Sequence, residues 1–411
     1  MPDRRSVVAA VLAAVVGASV TGVEPAVARP AGAWTGAWTG AWSTSPQREA
    51  GPGLQDRTLR MLVHPTLGGS AVRLRLANTF GERDVTFDGV GVARAVAAGS
   101  AEPAAGTVRP VTFHGRPAVT VAAGTQVLSD PVPLGVAYGQ DLAVDLHVAD
   151  GGDAAVVTGH DAAQGTQFVA EGDQVGAGAA AFAGTLTSWF WLAGVDVRPA
   201  AGVRGSIVAL GDSITDGAYT TWNGNDRWTD DLAARLQALP ARRRLGVLNQ
   251  GIGGNQVLTD RTDCCGGGTS IAALRRERAD VRLQTGVRYL ILADGINDIG
   301  YGASADALIT GLATIAGRAR AAGIRVIGAT ITPYGCAEGC FTAAQEAVRQ
   351  RVNAWIRTTR AVDGVADFDA AVRDPLDPGR VLPAYQADHL HPNVAGQRAM
   401  AAAIDLGLFR A

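Results

Sequence analysis

The first half of the chain alternates apolar and polar residues with a period of two. Val72, Leu74 and Leu76 are separated by arginines, and residues 142–148 repeat the alternation. Turns rich in glycine, proline and aspartate separate these runs. The segments between the runs do not show the apolar spacing of three to four residues that is typical of an amphipathic helix. Many short strands without helices predict an all-β sandwich over residues 58–199.

The pattern changes near residue 202, where longer apolar runs begin to alternate with helical segments. The apolar runs cover 206–210, 245–249, 287–293, 324–331 and 364–368. The helical segments cover 226–239, 270–285, 303–322, 343–360 and 393–407. This alternation predicts a parallel sheet covered on both faces, and five strands suit a flavodoxin-like three-layer α/β/α domain over 204–411. Ligands of such sheets bind beyond the carboxyl ends of the strands.

The first residues have the features of a secretory signal peptide. A basic pair, Arg4-Arg5, precedes an apolar run over 7–23, and the small-x-small tripeptide Ala26-Val27-Ala28 follows. The run is shorter than the ~18 to 20 residues of a membrane-spanning helix, so we expect cleavage after residue 28, secretion and no stable membrane anchor. The TGAW repeat within 29–57 is interpreted as a frayed lead-in to the first strand.

The charged residues exclude several kinds of chemistry. The net charge is −2, and all 36 basic residues are arginine because the chain has no lysine. A Ser-Lys dyad, a P-loop lysine and a Schiff-base lysine are therefore excluded. The one dense basic cluster, Arg242-Arg243-Arg244, has no interleaved aromatic residues, so we expect a solvated surface and no binding of nucleic acid.

Four cysteines occur, at Cys264, Cys265, Cys336 and Cys340. An even number in a chain expected to be secreted indicates two disulfides, and four cysteines allow three pairings. Adjacent cysteines rarely bond to each other, so we expect both bridges to join the 264–265 loop to the 336–340 loop. A zinc site with four thiolate ligands is the alternative, but adjacent thiolates fit a tetrahedral site poorly. We therefore expect neither a metal nor another cofactor.

The loop after the first strand of the predicted parallel sheet reads "GDSITDG" and contains Ser213. Asp212 or Ser213 could simply cap the next helix, as aspartate and serine often do. The alternative is that Ser213 is a nucleophile. That function requires a base, a group that orients the base, and donors for an oxyanion.

A base and an orienting group occur together in "ADHLHPN", just before the last predicted helix. Asp388 and His391 are three residues apart across a turn, so the carboxylate can hold the Nδ1 proton of the imidazole while Nε2 faces the serine. His389 lies between them and should point elsewhere. The alternative is an ordinary helix-start turn that contains a partly buried histidine.

Two further strand-end loops supply donors for an oxyanion. "NQGIGGNQ" offers the backbone N–H of Gly254, and "DGINDIG" offers the side-chain amide of Asn297. Each loop also has a structural explanation, because glycine pairs form tight turns and Asn-Asp often begins a helix.

Together these loops resemble the four motif blocks of the SGNH (GDSL) hydrolases. The blocks are matched in order by Ser213 in "GDSIT", Gly254 in "GIGGN", Asn297 in "GIND" and the Asp388 and His391 pair in "DHLH". The resemblance implies a serine nucleophile, a histidine base held by the aspartate, and an oxyanion hole from the serine N–H, the glycine and the asparagine. The chain has no Gly-x-Ser-x-Gly elbow, which disfavours the ordinary α/β-hydrolase fold.

The resemblance covers residues 204–411 and implies a metal-free esterase that works through an acyl-enzyme. The N-terminal sandwich looks similar to that of secreted actinobacterial members and to the jelly roll that accompanies this domain in some carbohydrate esterases. We expect short acyl groups, acetyl above all, on a small-molecule or polysaccharide ester. The alternatives are a short-chain lipase or acyltransferase of the same family, and a glycan-binding protein with a vestigial hydrolase domain.

Two local features bear on the substrate. The insert "RTDCCGGGTS", Arg261 to Ser270, departs from the family pattern and is expected to form a rim of the cleft if it is bridged to the 336–340 loop. Aromatic residues near the strand-end loops are candidates for stacking on sugars, although most such residues simply pack: Tyr219, Trp222, Trp228, Tyr301, Tyr334, Phe341 and Tyr385.

Overall fold

The computed structural model describes residues 38–264, 268–336 and 340–410, so the expected signal peptide lies outside the described residues. The first half of the described chain consists of short strands. They are β1 (Thr39–Ser43), β2 (Gln47–Ala50), β3 (Arg57–Val63), β4 (Val72–Ala77), β5 (Val85–Arg94), β6 (Arg109–Pro110), β7 (Val119–Val121), β8 (Gln126–Leu128), β9 (Leu142–Asp150), β10 (Val156–His160), β11 (Gln167–Glu171), β12 (Gly184–Leu186), β13 (Trp189–Phe190) and β14 (Leu192–Val197).

These strands pair in antiparallel sheets. One sheet has the order β1-β14-β4-β8, and the largest has the order β12-β11-β3-β9-β5-β6, with β7 added beside β5. The period-two pattern accounts for the packing, because Leu74 and Leu76 of β4 are fully buried while Arg73 and Arg75 between them are partly exposed. Most of the buried apolar side chains form one large hydrophobic core, and Leu62, Ala95 and Ala143 form a small separate cluster. An N-terminal region rich in antiparallel sheet is thus confirmed, and its arrangement as a jelly-roll-like sandwich stays a prediction.

The described end of the tryptophan repeat, residues 38–42, differs from the frayed lead-in that we expected. Residues 39–43 form β1, which is buried throughout and pairs with β14 from Thr39 opposite Val197 to Ser43 opposite Gly194. Small residues allow this burial, because a Cβ at Gly40 would lie 2.7 Å from a methyl group of Leu248 in the second half of the chain. The end of the repeat that lies in β1 is therefore part of the contact between the two halves.

The second half alternates strands and helices. Its elements are β15 (Ser206–Gly211), α1 (Ser213–Asp216), α2 (Trp228–Gln237), β16 (Gly246–Gly251), β17 (Arg261–Cys264), β18 (Gly268–Ser270), α3 (Ala273–Glu277), β19 (Val287–Ala293), α4 (Ile296–Gly300), α5 (Ala305–Ala321), β20 (Arg325–Ala329), α6 (Ala343–Thr358), β21 (Gly364–Ala366), α7 (Phe368–Val372) and α8 (Val394–Ala403). Short 3₁₀ helices cover Ala179–Ala181, Ala241–Arg243, Pro383–Tyr385 and Leu406–Phe409, and a π-helical turn covers Arg278–Arg282.

Five of these strands form the predicted parallel sheet, in the order β16-β15-β19-β20-β21. This is the flavodoxin-like order 2-1-3-4-5, in which the order reverses beside the first strand. The central strands are apolar and buried on both faces, as the continuous runs in the sequence predicted. The helix predicted over 270–285 is shorter than expected, because α3 gives way to the π-helical turn.

Capping residues and apolar spacing explain why the long helices form where they do. The Ser304 hydroxyl caps α5, and a capping box of Thr342 and Gln345 begins α6. Along α5, Leu308, Leu312 and Ile315 recur at intervals of three and four residues and pack into the core of the second half. Each such side chain contributes on the order of 2 kcal/mol by burial. In the described ranges, no helix has the length and hydropathy that crossing a bilayer requires.

The cysteine pairing that we expected is wrong, because neither of the two expected bridges between the loops can form. Cys336 and Cys340 are bonded to each other, which removes both from any bridge to the 264–265 loop. The sequence argument considered strain between neighbouring cysteines but gave too little weight to a short loop closing on itself. The Cys264 side chain and Cys265 lie outside the described residues.

Without that bridge, the condition under which we expected the insert to form a rim of the cleft is not met, and the insert pairs instead with the N-terminal region. Strands β17 and β18 form a hairpin, and β18 pairs with β2 through Thr269 and Arg48. The hairpin therefore extends a sheet of the N-terminal region with the order β13-β10-β2-β18-β17. One sheet thus contains strands from both halves of the chain.

Candidate active site

Ser213 stands at the carboxyl end of the central strand β15, at the first position of α1. The capping question raised by the sequence has a clear answer, because Asp212 is the cap: its Oδ1 accepts the Ile214 N–H at 2.9 Å. The hydroxyl of Ser213 is left for another contact, and its Oγ lies 2.9 Å from Nε2 of His391. The preceding Gly211 must be glycine, since a Cβ there would lie 2.3 Å from the Thr215 hydroxyl.

Asp388 holds His391 in the orientation that the spacing predicted. Its Oδ2 lies 2.8 Å from Nδ1 of the imidazole, and its Oδ1 accepts the backbone N–H groups of His391 at 2.7 Å and Leu390 at 3.2 Å. Partial burial acts to raise the pKa of Asp388, but these hydrogen bonds outweigh it and lower the pKa. His389 is exposed at a left-handed turn, so it points away as expected.

The two other loops reach the same edge of the sheet. In the parallel pairing, Gly211 lies level with Gly251 of β16 and Ala293 of β19. The chain then continues to Gly254 on one side of the serine and to Asn297, in the first turn of α4, on the other. All five residues that the sequence singled out therefore lie at one strand-end edge.

The candidate oxyanion donors Gly254 and Asn297 are connected through Asn255, the residue that follows Gly254. Nδ2 of Asn297 donates to the backbone carbonyl of Asn255 at 2.9 Å, which leaves the second amide hydrogen for another acceptor. Gly254 has a φ of 65°, in the left-handed region that favours glycine. Sequence reasoning missed Asn255, although its position directly after the Gly254 motif was a usable signal.

Three buried carboxyl groups lie beneath this edge: Asp212, Asp294 and Asp298. Burial raises the pKa of Asp212 to about 7 and that of Asp298 to about 6, and it raises the pKa of Asp294 well above its usual range. Asp298 nevertheless accepts the backbone N–H groups of Val257 at 2.8 Å and Leu258 at 3.0 Å. These groups therefore anchor the loops that carry the candidate site residues.

The aromatic residues near the cleft separate into three groups by exposure. Tyr334, Phe341 and Tyr385 are partly buried against the core. Trp228 is completely buried against Phe368, so it is not available for stacking on a sugar, contrary to the sequence interpretation. Tyr219, Trp222 and Tyr301 are exposed. The Tyr219 ring lies beside His391 with ring centroids 5.3 Å apart, and the charge of Asp388 raises the pKa of the tyrosine.

Part of the second half of the chain matches a known protein family. Residues 209–399 match the model of the GDSL-like Lipase/Acylhydrolase family. Residues 209–399 are thus a GDSL-like lipase/acylhydrolase domain, and the protein is a hydrolase. The resemblance to the SGNH hydrolases is thereby confirmed. A search among curated proteins found no match.

Solved structures similar to this chain include a putative lipolytic protein of the G-D-S-L family from Desulfitobacterium hafniense (19% identity, 48% of this chain, 96% of that one, TM-score 0.37). A GDSL-like lipase from Bacteroides thetaiotaomicron is 21% identical over 49% of this chain and 87% of that one, with a TM-score of 0.36. The psychrotrophic esterase EstA from Pseudoalteromonas is 18% identical over 48% and 93%, with a TM-score of 0.36.

Proposed function

We propose that the protein is a serine esterase in which Ser213 is the nucleophile, His391 the general base and Asp388 the group that orients the base. The observation that carries this proposal is the unbroken chain of contacts from Ser213 Oγ to His391 Nε2 at 2.9 Å and from His391 Nδ1 to Asp388 Oδ2 at 2.8 Å. With its proton on Nδ1, the imidazole has a lone pair at Nε2, directed at the serine hydroxyl.

The reaction proceeds through an acyl-enzyme. Ser213 Oγ attacks the ester carbonyl as His391 Nε2 takes its proton, and a tetrahedral intermediate forms. Its oxyanion accepts hydrogen bonds from the backbone N–H groups of Ser213 and Gly254 and from the Asn297 amide. His391 then protonates the leaving alcohol, and the carbon–oxygen bond of the ester breaks. Water, activated by the same imidazole, attacks the acyl-enzyme and releases the acid.

The position of Ser213 favours this chemistry. The residue begins a helix, and the partial positive charge of a helix N-terminus favours an oxyanion beside it, although the next three N–H groups of the helix bond to Asp212. The negative charge of Asp388 stabilises the imidazolium that forms when His391 takes the proton, and the lowered pKa of Asp388 keeps the carboxylate ionised at neutral pH.

The substrate that we propose is a short acyl ester, acetyl above all, on a carbohydrate. The support is the exposure of Tyr219, Trp222 and Tyr301, since flat aromatic faces suit the apolar faces of sugars. Tyr219 is the most telling of the three because its ring lies beside the proposed base. An alcohol bound against this ring would sit next to the group that protonates it as it leaves.

The layout that we propose for the whole chain follows the sequence. Residues 1–28 act as a cleaved signal peptide, the protein is secreted, and it neither anchors in a membrane nor binds nucleic acid. A jelly-roll-like sandwich precedes the hydrolase domain. The support is the apolar run over 7–23, the Ala26-Val27-Ala28 site and the antiparallel pairing from β1 to β14.

Hydrolysis of p-nitrophenyl acetate, butyrate and octanoate by the mature protein tests this proposal. We expect kcat/KM to fall with chain length, and acetylated xylan to release acetate. Ser213→Ala should abolish both activities, whereas Ser70→Ala, a control at an exposed serine, should retain them. Full activity of Ser213→Ala would overturn the assignment of the nucleophile. A preference for octanoate would favour a lipase, and an ester product formed with added alcohol would favour acyl transfer.

A further inference from the structure

Arg276 is a buried arginine beneath the catalytic edge, and the proposed mechanism does not use it. Its guanidinium donates to the carbonyls of Gly211 and Gln250, each at 2.8 Å, and to Oδ1 of Asn255 at 2.7 and 3.0 Å. It also contacts Asp280 at 2.9 Å and the hydroxyl of Ser45 at 2.8 Å. All three guanidinium nitrogens are therefore engaged, and the side chain has one defined place.

The acceptors of Arg276 are close in sequence to the residues that perform the chemistry. Gly211 is the last residue of β15 and precedes Ser213 by two positions. Asn255 follows Gly254 directly, and its backbone carbonyl accepts the amide of Asn297. One guanidinium thus connects the nucleophile strand with the loop of the glycine donor, and through Asn255 with the asparagine donor.

The N-terminal region completes this network. Ser45 lies just after β1 and is fully buried, and its hydroxyl lies 2.7 Å from Oδ2 of Asp280 and 2.7 Å from Oε1 of Gln250. Gln250 in turn donates to the Ser43 hydroxyl at 2.6 Å. The hydrogen-bond partners of the guanidinium therefore come from both halves of the chain. Without the N-terminal region, Arg276 would lose the Ser45 hydroxyl as an acceptor.

A second contact from the N-terminal region reaches the nucleophile helix itself. His160, at the end of β10, is buried with Nε2 at 3.1 Å from Oδ1 of Asp216, the last residue of α1. Its Nδ1 lies 2.8 Å from the backbone carbonyl of Ser45. The segment that contains Ser45 therefore contacts Arg276 directly. Through His160 it is also connected to the helix that Ser213 begins.

We propose that Arg276 is a positioning residue that holds the nucleophile strand and the oxyanion donors in fixed relative positions. The N-terminal region contributes to catalysis because its Ser45 supplies one of the hydrogen-bond partners that hold Arg276 in place. The physical reason is that an oxyanion hole acts only when its donors are fixed before the reaction. A displacement of about 1 Å can lower the rate about 10²-fold. The N-terminal region is then a part of the catalytic unit and not a detachable module. This inference rests on the proposed function.

The test compares Arg276→Lys and Ser45→Ala with a matched control in the full chain. A lysine keeps the positive charge but has only three N–H donors on one nitrogen, so it cannot replace the six contacts that the three guanidinium nitrogens make with Gly211, Gln250, Asn255, Asp280 and Ser45. We expect kcat for p-nitrophenyl acetate to fall about 10- to 100-fold in Arg276→Lys, with KM changed by less than about threefold, because the donors act on the transition state. Ser45→Ala should lower kcat about three- to tenfold.

The control is Arg60→Lys. Arg60 is also fully buried and also contacts a carboxylate, that of Asp145 at 2.7 and 2.8 Å, and backbone carbonyls. It lies in the N-terminal region and makes none of the contacts of Arg276. Arg60→Lys should lower Tm about as much as Arg276→Lys does, because both remove a buried guanidinium. Its kcat at 25 °C should stay within about twofold of the wild-type value.

The outcomes separate a positioning role from a structural one. If Arg276→Lys and Ser45→Ala lose stability but keep a kcat within about twofold of the wild type, or if Arg60→Lys loses as much kcat as they do, the proposal is overturned. If Arg276→Lys does not fold, Ser45→Ala decides alone. An active Ser213→Ala variant would instead show that the proposed function has failed, and the positioning role would fall with it.

Discussion

The substitution Asp388→Asn tests the proposed mechanism with little change to the structure. Oδ1 of Asp388 accepts two backbone N–H groups, from Leu390 and His391. The amide oxygen of an asparagine can accept the same two bonds, which fixes its NH₂ group towards Nδ1 of His391. An NH₂ group donates, so Nδ1 must then carry the lone pair and Nε2 the proton. The base would face Ser213 in the wrong tautomer.

The magnitude follows from this loss of the base. In serine hydrolases, a substitution of this kind lowers kcat about 10⁴-fold with the geometry intact, which corresponds to about 5 kcal/mol of transition-state stabilisation. KM for p-nitrophenyl acetate should change little, because Asp388 acts through the tautomer of His391. Tm should change little as well, since both backbone bonds are kept.

The assay is steady-state hydrolysis of p-nitrophenyl acetate at pH 7, with Tm measured on the same samples. Asp405→Asn is the matched control, because Oδ1 of Asp405 also caps a turn, at 2.7 Å from the Gly407 N–H, near the far end of the chain. The control should keep wild-type kcat. A loss below about tenfold in Asp388→Asn, with the fold intact, would refute the assignment of Asp388 as the group that orients the base.

Three further predictions concern the oxyanion hole, the pH dependence of stability and the disulfide. Asn297→Ala should lower kcat about 10²- to 10³-fold, and a loss below about threefold would remove its role as an oxyanion donor. Burial raises the pKa of Glu49 from 4.5 and that of Asp212 from 3.8, each to about 7. The protonated carboxyl groups therefore stabilise the folded state fully below the unfolded pKa values, and this stabilisation is lost as the pH rises to about 7. Tm should fall from pH 5 to pH 8, and a rise in Tm over this range would contradict the prediction. Replacing Cys336 and Cys340 with serine should lower the free energy of unfolding by about 2 kcal/mol, the loop-closure entropy of a short loop, and an unchanged denaturant midpoint would contradict that contribution.

The parallel sheet could be predicted closely because each of its strands is a continuous apolar run. The first run was expected at 206–210 and the strand is Ser206–Gly211, and the third was expected and observed at 287–293. The site could be predicted for a related reason. Catalytic residues that follow parallel strands must meet at one edge, so Ser213 and Asn297 needed only the strand order to be brought together.

The features that the sequence did not reveal depend on contacts between distant segments. Strand β1 looked like a frayed repeat, since its burial comes from β14 and Leu248, far along the chain. Arg276 is one arginine among 36 basic residues, and in sequence it looks like the solvated face of a helix. Two of its five acceptors are backbone carbonyls, which carry no sequence signal, and a third, Ser45, is 231 residues away.

Covalent labelling of the nucleophile tests the central claim most directly. The protein is incubated with diethyl p-nitrophenyl phosphate, and the mass of the intact chain and of its peptides is measured alongside residual esterase activity. We predict one diethylphosphoryl group per chain, located on Ser213, with loss of activity in proportion to labelling and no label in His391→Ala. Complete loss of activity with the label on another residue, or full activity in a chain labelled at Ser213, would contradict the account.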